Sequence, residues 1–243
     1  MNLAVLTYIY RKGYNIYTGL LEGKLVLNTK ELIYSELLSE IVKLKIKPGE
    51  FIKENDLSLR FKISRTPLRE ILKRLEAEGY LTVLPRHGTK VTLIDPISVR
   101  QMLEMRIQLE TKVQKDLIFN LTLKDIETLG ECLKSQETAL TDKDIELFWE
   151  LDNQFHERLF SLAGKSLWWD IIRKYEAHYM RYRRLAMADD NNFELLYIHH
   201  KNILKSITER KIEEIEPQLL SHVGFCTEKM PVLLYKYPEY FKK

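Results

Sequence analysis

The sequence has only two cysteines, Cys132 and Cys226, and they form neither a CxxC pair nor a disulfide-like framework. Isolated cysteines of this kind read as buried thiols in a reducing compartment, so a cytoplasmic location is expected. Long apolar runs are missing as well, since none approaches the roughly 18 residues that a bilayer-spanning helix needs. The opening stretch MNLAVLTYIYRKGY carries its basic residues after the apolar run rather than before it, and neither a signal peptide nor a membrane anchor is expected. Internal repeats and low-complexity tracts are absent. Charge of one sign is scarce too: the formal net charge is +3 over 243 residues, too little to imply nucleic acid by itself.

What the chain does have is 45% hydrophobic and 30% charged residues, which fits a soluble globular protein of two domains with a proper core. Its charge is unevenly placed. Lys30 to Leu93 holds 13 Lys or Arg against 9 Asp or Glu, whereas the chain beyond Leu93 is net −3. That distribution suggests that the first part alone meets a polyanion. β-type and turn signals lie almost entirely before Pro96, and helical periodicity dominates after it. The join IDPISVR therefore divides the chain. Asp95 and Pro96 break the backbone run, and Ser98 can cap the helix that follows. Residues 1–28, with Tyr8, Tyr10, Tyr14 and Tyr17, have no clear period and form an extension of open role.

Between 29 and 94 the order of elements is informative. Leu32, Ile33, Leu37, Ile41 and Leu44 make the inner stripe of a first helix ended by Pro48 and Gly49. A short extended piece at Phe51 and Ile52 precedes ENDLSLRF, a helix of about two turns. A second helix opens at Ser64, a suitable N-cap, with Leu68, Ile71, Leu72 and Leu75 inward and Gly79 fit for its terminus. YLTVLP, RHG and TKVTLI then read as two strands about a tight turn. Helix, short helix, turn, helix and hairpin is the order of a winged helix-turn-helix.

With the leucines inward, Arg65, Thr66, Arg69 and Lys73 fall on the outer face or its edge. Arg65 and Arg69 are long enough to reach guanine O6 and N7, and the helix start suits a phosphate. Arg86, His87 and Gly88 at the wing tip offer a cation and a backbone free to approach a groove. The bland alternative is a solvated basic face. KPGEFI, SRTPLRE, LEAEGYL and PRHGTKV, in this order, resemble the DNA-binding domain of GntR-family bacterial regulators. The resemblance implies operator contacts from Arg65, Thr66 and Arg69, a phosphate or base contact from Asn55, and entry of His87 and Gly88 into the minor groove. The DNA-binding set is thus Asn55, Ser64, Arg65, Thr66, Arg69, His87 and Gly88, with double-stranded operator DNA as partner.

From 98 to 235 the chain reads as an all-α bundle, with helical stretches near 98–119, 123–139, 142–163, 166–187, 193–209 and 211–233, and a tail at 236–243. Asp152 and His156 are four apart on the face of Leu159, Phe160 and Ala163. His200 shares the inward face of Ile203, Leu204 and Ile207, His222 that of Leu219, Phe225 and Cys226, and His199 points outward with Asn202 and Ser206. Three inward imidazoles and an inward carboxylate need partners. A divalent metal would satisfy all four; zinc, nickel, cobalt, manganese and iron all suit the set. A hydrogen-bonded cluster without metal stays open, as does a metalloenzyme, although no general base accompanies the cluster.

RIQLE, LDNQFHERLFSLAG, HKNILKSI and SHV resemble the helical FCD ligand-binding domain of the FadR-like branch of the same family. The resemblance implies a metal, zinc first with nickel or manganese as alternatives, at Asp152, His156, His200 and His222. It also implies a small carboxylate metabolite nearby, with Arg106 facing the cavity, the smaller six-helix form of the domain, and a homodimer on a palindromic operator. Arg106 could equally pair with Glu110. Lys165 stands where many relatives carry Asn. The expected fold is mainly α, a winged helix-turn-helix followed by a helical bundle, and the expected protein is not an enzyme.

Overall fold

The computed structural model describes residues 17–21, 24–27, 29–190, 192–224 and 226–243. Tyr8, Tyr10 and Tyr14 of the N-terminal extension lie outside the described residues. Within the extension β1 (Tyr17–Leu21) pairs antiparallel with β2 (Lys24–Leu27). Helix α1 (Thr29–Val42) follows, with Ile33, Leu37, Leu38 and Ile41 buried. It ends before Pro48, contrary to the expectation from sequence. Leu44 takes a left-handed conformation at φ 58°. The N–H groups of Lys45 and Ile46 then both donate to Glu40 O, at 2.9 and 3.2 Å, closing the last turn without a glycine.

Helix α2 (Glu54–Phe61) and helix α3 (Arg65–Ala77) form the helix-turn-helix. Leu68, Ile71, Leu72 and Leu75 are buried on the inner face of α3, each contributing about 1.5–3 kcal/mol by leaving water. Gly79, at φ +82°, carries the chain out of α3 through backbone that a side chain would strain. The hairpin of β4 (Leu81–Leu84) and β5 (Gly88–Val91) is extended by β3 (Phe51–Ile52) into a three-stranded antiparallel sheet of order β3-β5-β4.

The helical domain comprises α4 (Pro96–Asn120), α5 (Leu123–Thr141), α6 (Ile145–Leu162), α7 (Ser166–Tyr175), α8 (Ala177–Asp190), α9 (Phe193–Thr208), α10 (Ile212–Gly224) and α11 (Met230–Lys236). Several boundaries differ from the sequence reading. The cap of α4 is Asp95, not Ser98: its Oδ1 accepts the N–H groups of Ile97 and Ser98 at 2.9 and 3.3 Å, and Pro96 needs no donor at the first position. The stretch 166–187 is broken at Glu176, whose ψ of −1° is off the helical value, and the ladder resumes where Met180 N–H donates to Glu176 O at 2.8 Å. The stretch 211–233 is divided between α10 and α11 by a 3₁₀ turn at Thr227–Lys229, so the six expected stretches become more elements. The turn after α6 is closed by Gly164 at φ +68°, and Lys165 Nζ pairs with Asp116 Oδ2 at 2.6 Å.

One hydrophobic core runs from Ile33 in α1 through Ile94 and Val99 to Leu233 and Phe241, so the two halves share it. A smaller cluster around Phe148, Trp149 and Phe193 lies apart from it. Residues 236–243 are no free tail. Ile94 N–H donates to Tyr240 O and Lys242 N–H to Ile94 O, both at 2.8 Å, which returns the chain end to the junction. No helix among the described residues is long and apolar enough to cross a membrane.

Candidate functional site

The winged domain presents its polar candidates outward. Ser64, Arg65, Thr66 and Arg69 are exposed at the start of α3, as are Asn55 on α2 and His87 and Gly88 at the wing tip. Ser64 occupies the N-cap position but makes no side-chain cap bond, so the expected capping bond is not formed. Arg65 Nη2 donates to Asn55 Oδ1 and Arg69 Nε to Glu54 Oε2, both at 3.1 Å, which orients the two guanidiniums over the helix-turn-helix. In the wing, His87 N–H donates to Leu84 O at 3.0 Å, and Gly88 at φ +100° has open space where a Cβ would stand. A surface can approach that backbone closely.

The helical domain does the opposite and gathers its polar candidates inside. Asp152 and His156 come from α6, His200 from α9 and His222 from α10. The first three are fully buried and His222 is 4% exposed. One potential ligand atom from each lies within 4.8 Å of all the others. His222 Nε2 faces His156 Nε2 at 3.1 Å, and His200 Nε2 lies 3.5 Å from Asp152 Oδ1.

Neighbours face the outer nitrogens of two of the three histidines, whereas His222 Nδ1 is buried without a hydrogen-bond partner. His200 Nδ1 meets Gln136 Oε1 at 2.8 Å, and His156 Nδ1 lies 2.8 Å from Glu110 Oε2. Protons on those two Nδ1 atoms leave both Nε2 lone pairs facing the centre, the arrangement by which carboxylates and amides orient metal-bound histidines. Asp152 Oδ2 and His200 Nε2 are buried without a hydrogen-bond partner. The 3.1 Å separation is near the roughly 3.3 Å between ligand atoms 2.0 Å from a tetrahedral centre. These residues fit a divalent ion.

Two buried arginines flank the cluster. Arg106 Nε donates to Glu110 Oε1 and its Nη1 to Tyr179 Oη, both at 2.6 Å, while Nη2 is buried without a partner. The pairing with Glu110 and the inward position thus hold together. Arg183 Nη2 donates to Asp152 Oδ1 at 2.7 Å, and its Nη1 has no partner. Burial opposes ionisation of Glu110, but Arg106 and then His156 hold its carboxyl well below the usual carboxylate range. Burial likewise opposes ionisation of Asp152, and Arg183 overrides it. Burial pushes His200 down to about 3, and burial and then His200 push His222 well down.

Helical periodicity in the sequence points to Asp152, His156, His200 and His222 but not to Arg183, Gln136 and Tyr179. Gln136 was discoverable, being three residues after Leu133 on the buried face of α5. His199 is not fully outward. It is half-buried, with its ring edge-on to that of His222 at a centroid distance of 5.7 Å.

A winged helix-turn-helix with an exposed cationic recognition helix, joined to an all-helical domain with a buried His/Asp cluster, defines a class of DNA-binding regulators. Residues 29–91 match the model of the bacterial regulatory proteins of the gntR family, and residues 101–225 match the FCD domain. The chain belongs to the GntR family, in its FCD-domain branch, and is a transcriptional regulator rather than an enzyme. Among its relatives is the HTH-type transcriptional repressor RspR of Escherichia coli (strain K12), 28% identical over 211 residues that cover 87% of this chain and 92% of that one. Its fold is shared by a putative GntR regulator from Rhodococcus sp. RHA1, with a TM-score of 0.69, 14% identity and coverage of 82% and 96% of the two chains. E. coli McbR/YncC is also similar, with a TM-score of 0.66, 19% identity and coverage of 87% and 99%.

Proposed function

We propose that this regulator works in the cytoplasm as a homodimer on a palindromic operator, and that it senses a small carboxylate metabolite beside a divalent metal held by Asp152, His156, His200 and His222. The observation that carries the sensing half is the convergence of four buried ligand atoms within 4.8 Å. Three nitrogens and one oxygen suit several divalent ions, and zinc is taken first, with nickel or manganese as alternatives. FCD domains commonly hold a metal, which supports the same reading.

On the DNA side, Arg65 and Arg69 would exchange Asn55 and Glu54 for base edges and phosphates. Ser64 and Thr66 would donate from the start of α3, and Asn55, once released, would contact phosphate or base. His87 and Gly88 would enter the adjacent minor groove from the wing. Two copies related by a two-fold axis would place two such helices on the half-sites of a palindrome.

On the sensing side the buried charges already cancel, with the arginines at 106 and 183 opposing the carboxylates at 110 and 152. A bound divalent ion would add positive charge and offer open coordination positions to a carboxylate. Arg106 Nη2, buried and unpartnered, would supply a planar donor to the same anion. The test is metal content by elemental analysis of wild type and His200→Ala, followed by thermal-shift screening of hydroxy acids and sugar acids and by selection of preferred sequences from random DNA. Metal in the wild type and its loss from the variant are expected. Equal metal in both proteins would remove His200 from the site, and no preference over random DNA would sink the operator reading.

A further inference from the structure

Helix α8 lies between the buried cluster and the junction where the winged domain meets the helical one. On one side Tyr179 and Arg183 hold the cluster, through Arg106 and Asp152 respectively. Arg181 is two residues from each of them and so points the opposite way on a helix that turns about 100° per residue. His178, three residues before Arg181, shares its side.

Arg181 is fully buried. Its Nε donates to Ala177 O at 2.9 Å, within α8. Its Nη2 donates to Thr92 Oγ1 at 2.8 Å and its Nη1 to Thr92 O, both just after the wing strand β5. Thr92 Oγ1 passes the connection on by donating to Gly79 O at 2.7 Å, at the end of the recognition helix. Next to this, Asp95 N–H donates to His178 Nδ1 at 3.2 Å. The chain end closes the junction, with Lys242 Nζ 3.2 Å from Asp95 Oδ2.

Among the described residues no carboxylate pairs with Arg181, and burial pushes its pKa down to about 10. A buried guanidinium held by neutral acceptors alone is tolerated only while those bonds are made. Outside α8 those acceptors all belong to Thr92, so α8 and the Thr92–Asp95 segment must keep one relative position or move together. Helix α4 also runs from the junction toward the cluster, and Ser98, Gln101, Met102 and Met105 on it line a cleft with Ala77, Glu78 and Gly79. From α8 the connection is made by side chains across the interface.

We infer that α8 is the coupling element of the molecule, with Tyr179 and Arg183 following the state of the buried cluster and Arg181 and His178 imposing it on Thr92–Asp95 and hence on the recognition helix. The inference rests on the proposed sensing role only for what displaces α8. The coupling itself can be tested without metal or ligand.

The experiment is hydrogen exchange of the full-length, metal-free protein as a double-mutant cycle of Arg183→Met and Arg181→Met. The amides read are those of Thr92, Ile94 and Asp95, with the core of α1 as internal reference. Arg181→Met should accelerate the Asp95 amide by about tenfold. Arg183→Met touches no junction residue, yet should accelerate the same amides several-fold, and the double variant should be no faster than Arg181→Met alone. Junction rates within about twofold of wild type in Arg183→Met, or effects that multiply in the double variant, would overturn the coupling. Should Arg183→Met fail to fold, Tyr179→Phe and Thr92→Val make the same cycle with only a hydroxyl removed on each side.

A second arm titrates zinc into wild type and Arg181→Met. Equal uptake by both, with junction protection changing only in the wild type, supports the coupling, and an equal change in both overturns it. If neither protein takes up zinc, the choice of zinc fails and the metal-free cycle alone decides the coupling.

Discussion

Arginine serves opposite purposes in the two halves of this molecule. At the winged domain Arg65 and Arg69 are exposed, and each leans on one neighbour at 3.1 Å, Asn55 or Glu54. Water competes for such contacts, which are worth about 0–1 kcal/mol, so a DNA phosphate or base edge can take the guanidinium over. In the helical domain Arg106 and Arg183 are each 3% exposed and lie 2.6 and 2.7 Å from Glu110 and Asp152. Those partners cannot be lost without stranding a buried charge. The surface pairs are thus weak enough to be exchanged, as the proposed DNA contacts require, whereas the buried pairs fix the geometry of the cluster.

The sharpest way to break this comparison is to remove one carboxylate. Asp152→Ala should cost the metal-free protein about 3–5 kcal/mol in urea unfolding, because Arg183 is left buried and unpaired. The double variant Asp152→Leu, Arg183→Met should recover much of that loss. An unchanged midpoint for Asp152→Ala would show that the internal pair holds nothing. Metal binding comes next in size. Zinc at about a hundredfold over its dissociation constant should stabilise the wild type by about 2.7 kcal/mol, reversibly with a chelator. His200→Ala should lose that shift in the same thermal melt, and a variant that kept it would dismiss His200 as a ligand.

On the exposed side the effects should fall on binding and not on folding. Arg65→Ala or Arg69→Ala should weaken operator binding by roughly 1–3 kcal/mol while leaving stability within about 0.5 kcal/mol. Unfolding curves measured beside the DNA titrations would separate the two. A loss of stability matching the loss of affinity would mean that these arginines are structural after all.

The two halves also differ in how much of them the sequence discloses. The recognition helix is amphipathic, with Leu68, Ile71, Leu72 and Leu75 buried beneath Arg65 and Arg69, so a periodic pattern separates core from exposed residues. The four cluster residues were legible for the same reason, since α6, α9 and α10 each bury one stripe. Helix α8 shows no such pattern. Tyr179, Met180, Arg181, Tyr182, Arg183 and Leu185 are all buried, and a helix covered on every side has no outer face to mark its inner one. Arg183 and Arg181 were therefore invisible to periodicity, and what they touch depends on tertiary placement. Asp95 was legible as a chain breaker and misread as to role, because a carboxylate one residue before a proline is equally able to cap the helix that the proline begins.

The smallest expected effect lies at the seam between the halves. His178 is half-buried and faces Arg181, Asp95 and Lys242, and burial followed by the Arg181 guanidinium pushes its pKa from the ordinary 6.5 down to about 4. Between those two values the unfolded chain binds a proton that the folded chain excludes, so the proton favours unfolding. The stability contributed by neutral His178 is full above pH 6.5 and is lost as the pH falls toward 4. His200 and His222 are depressed as well and act in the same direction, so the wild-type profile alone cannot isolate the seam. The difference between wild type and His178→Asn can, because both proteins keep the cluster. Solvent screening at a partly exposed ring reduces the expected difference to about 1 kcal/mol between neutral and mildly acidic pH, with the wild type losing more. Parallel profiles from urea unfolding at several pH values would mean that His178 carries its proton in the folded protein too, and that the Asp95 N–H contact is not held by a neutral imidazole.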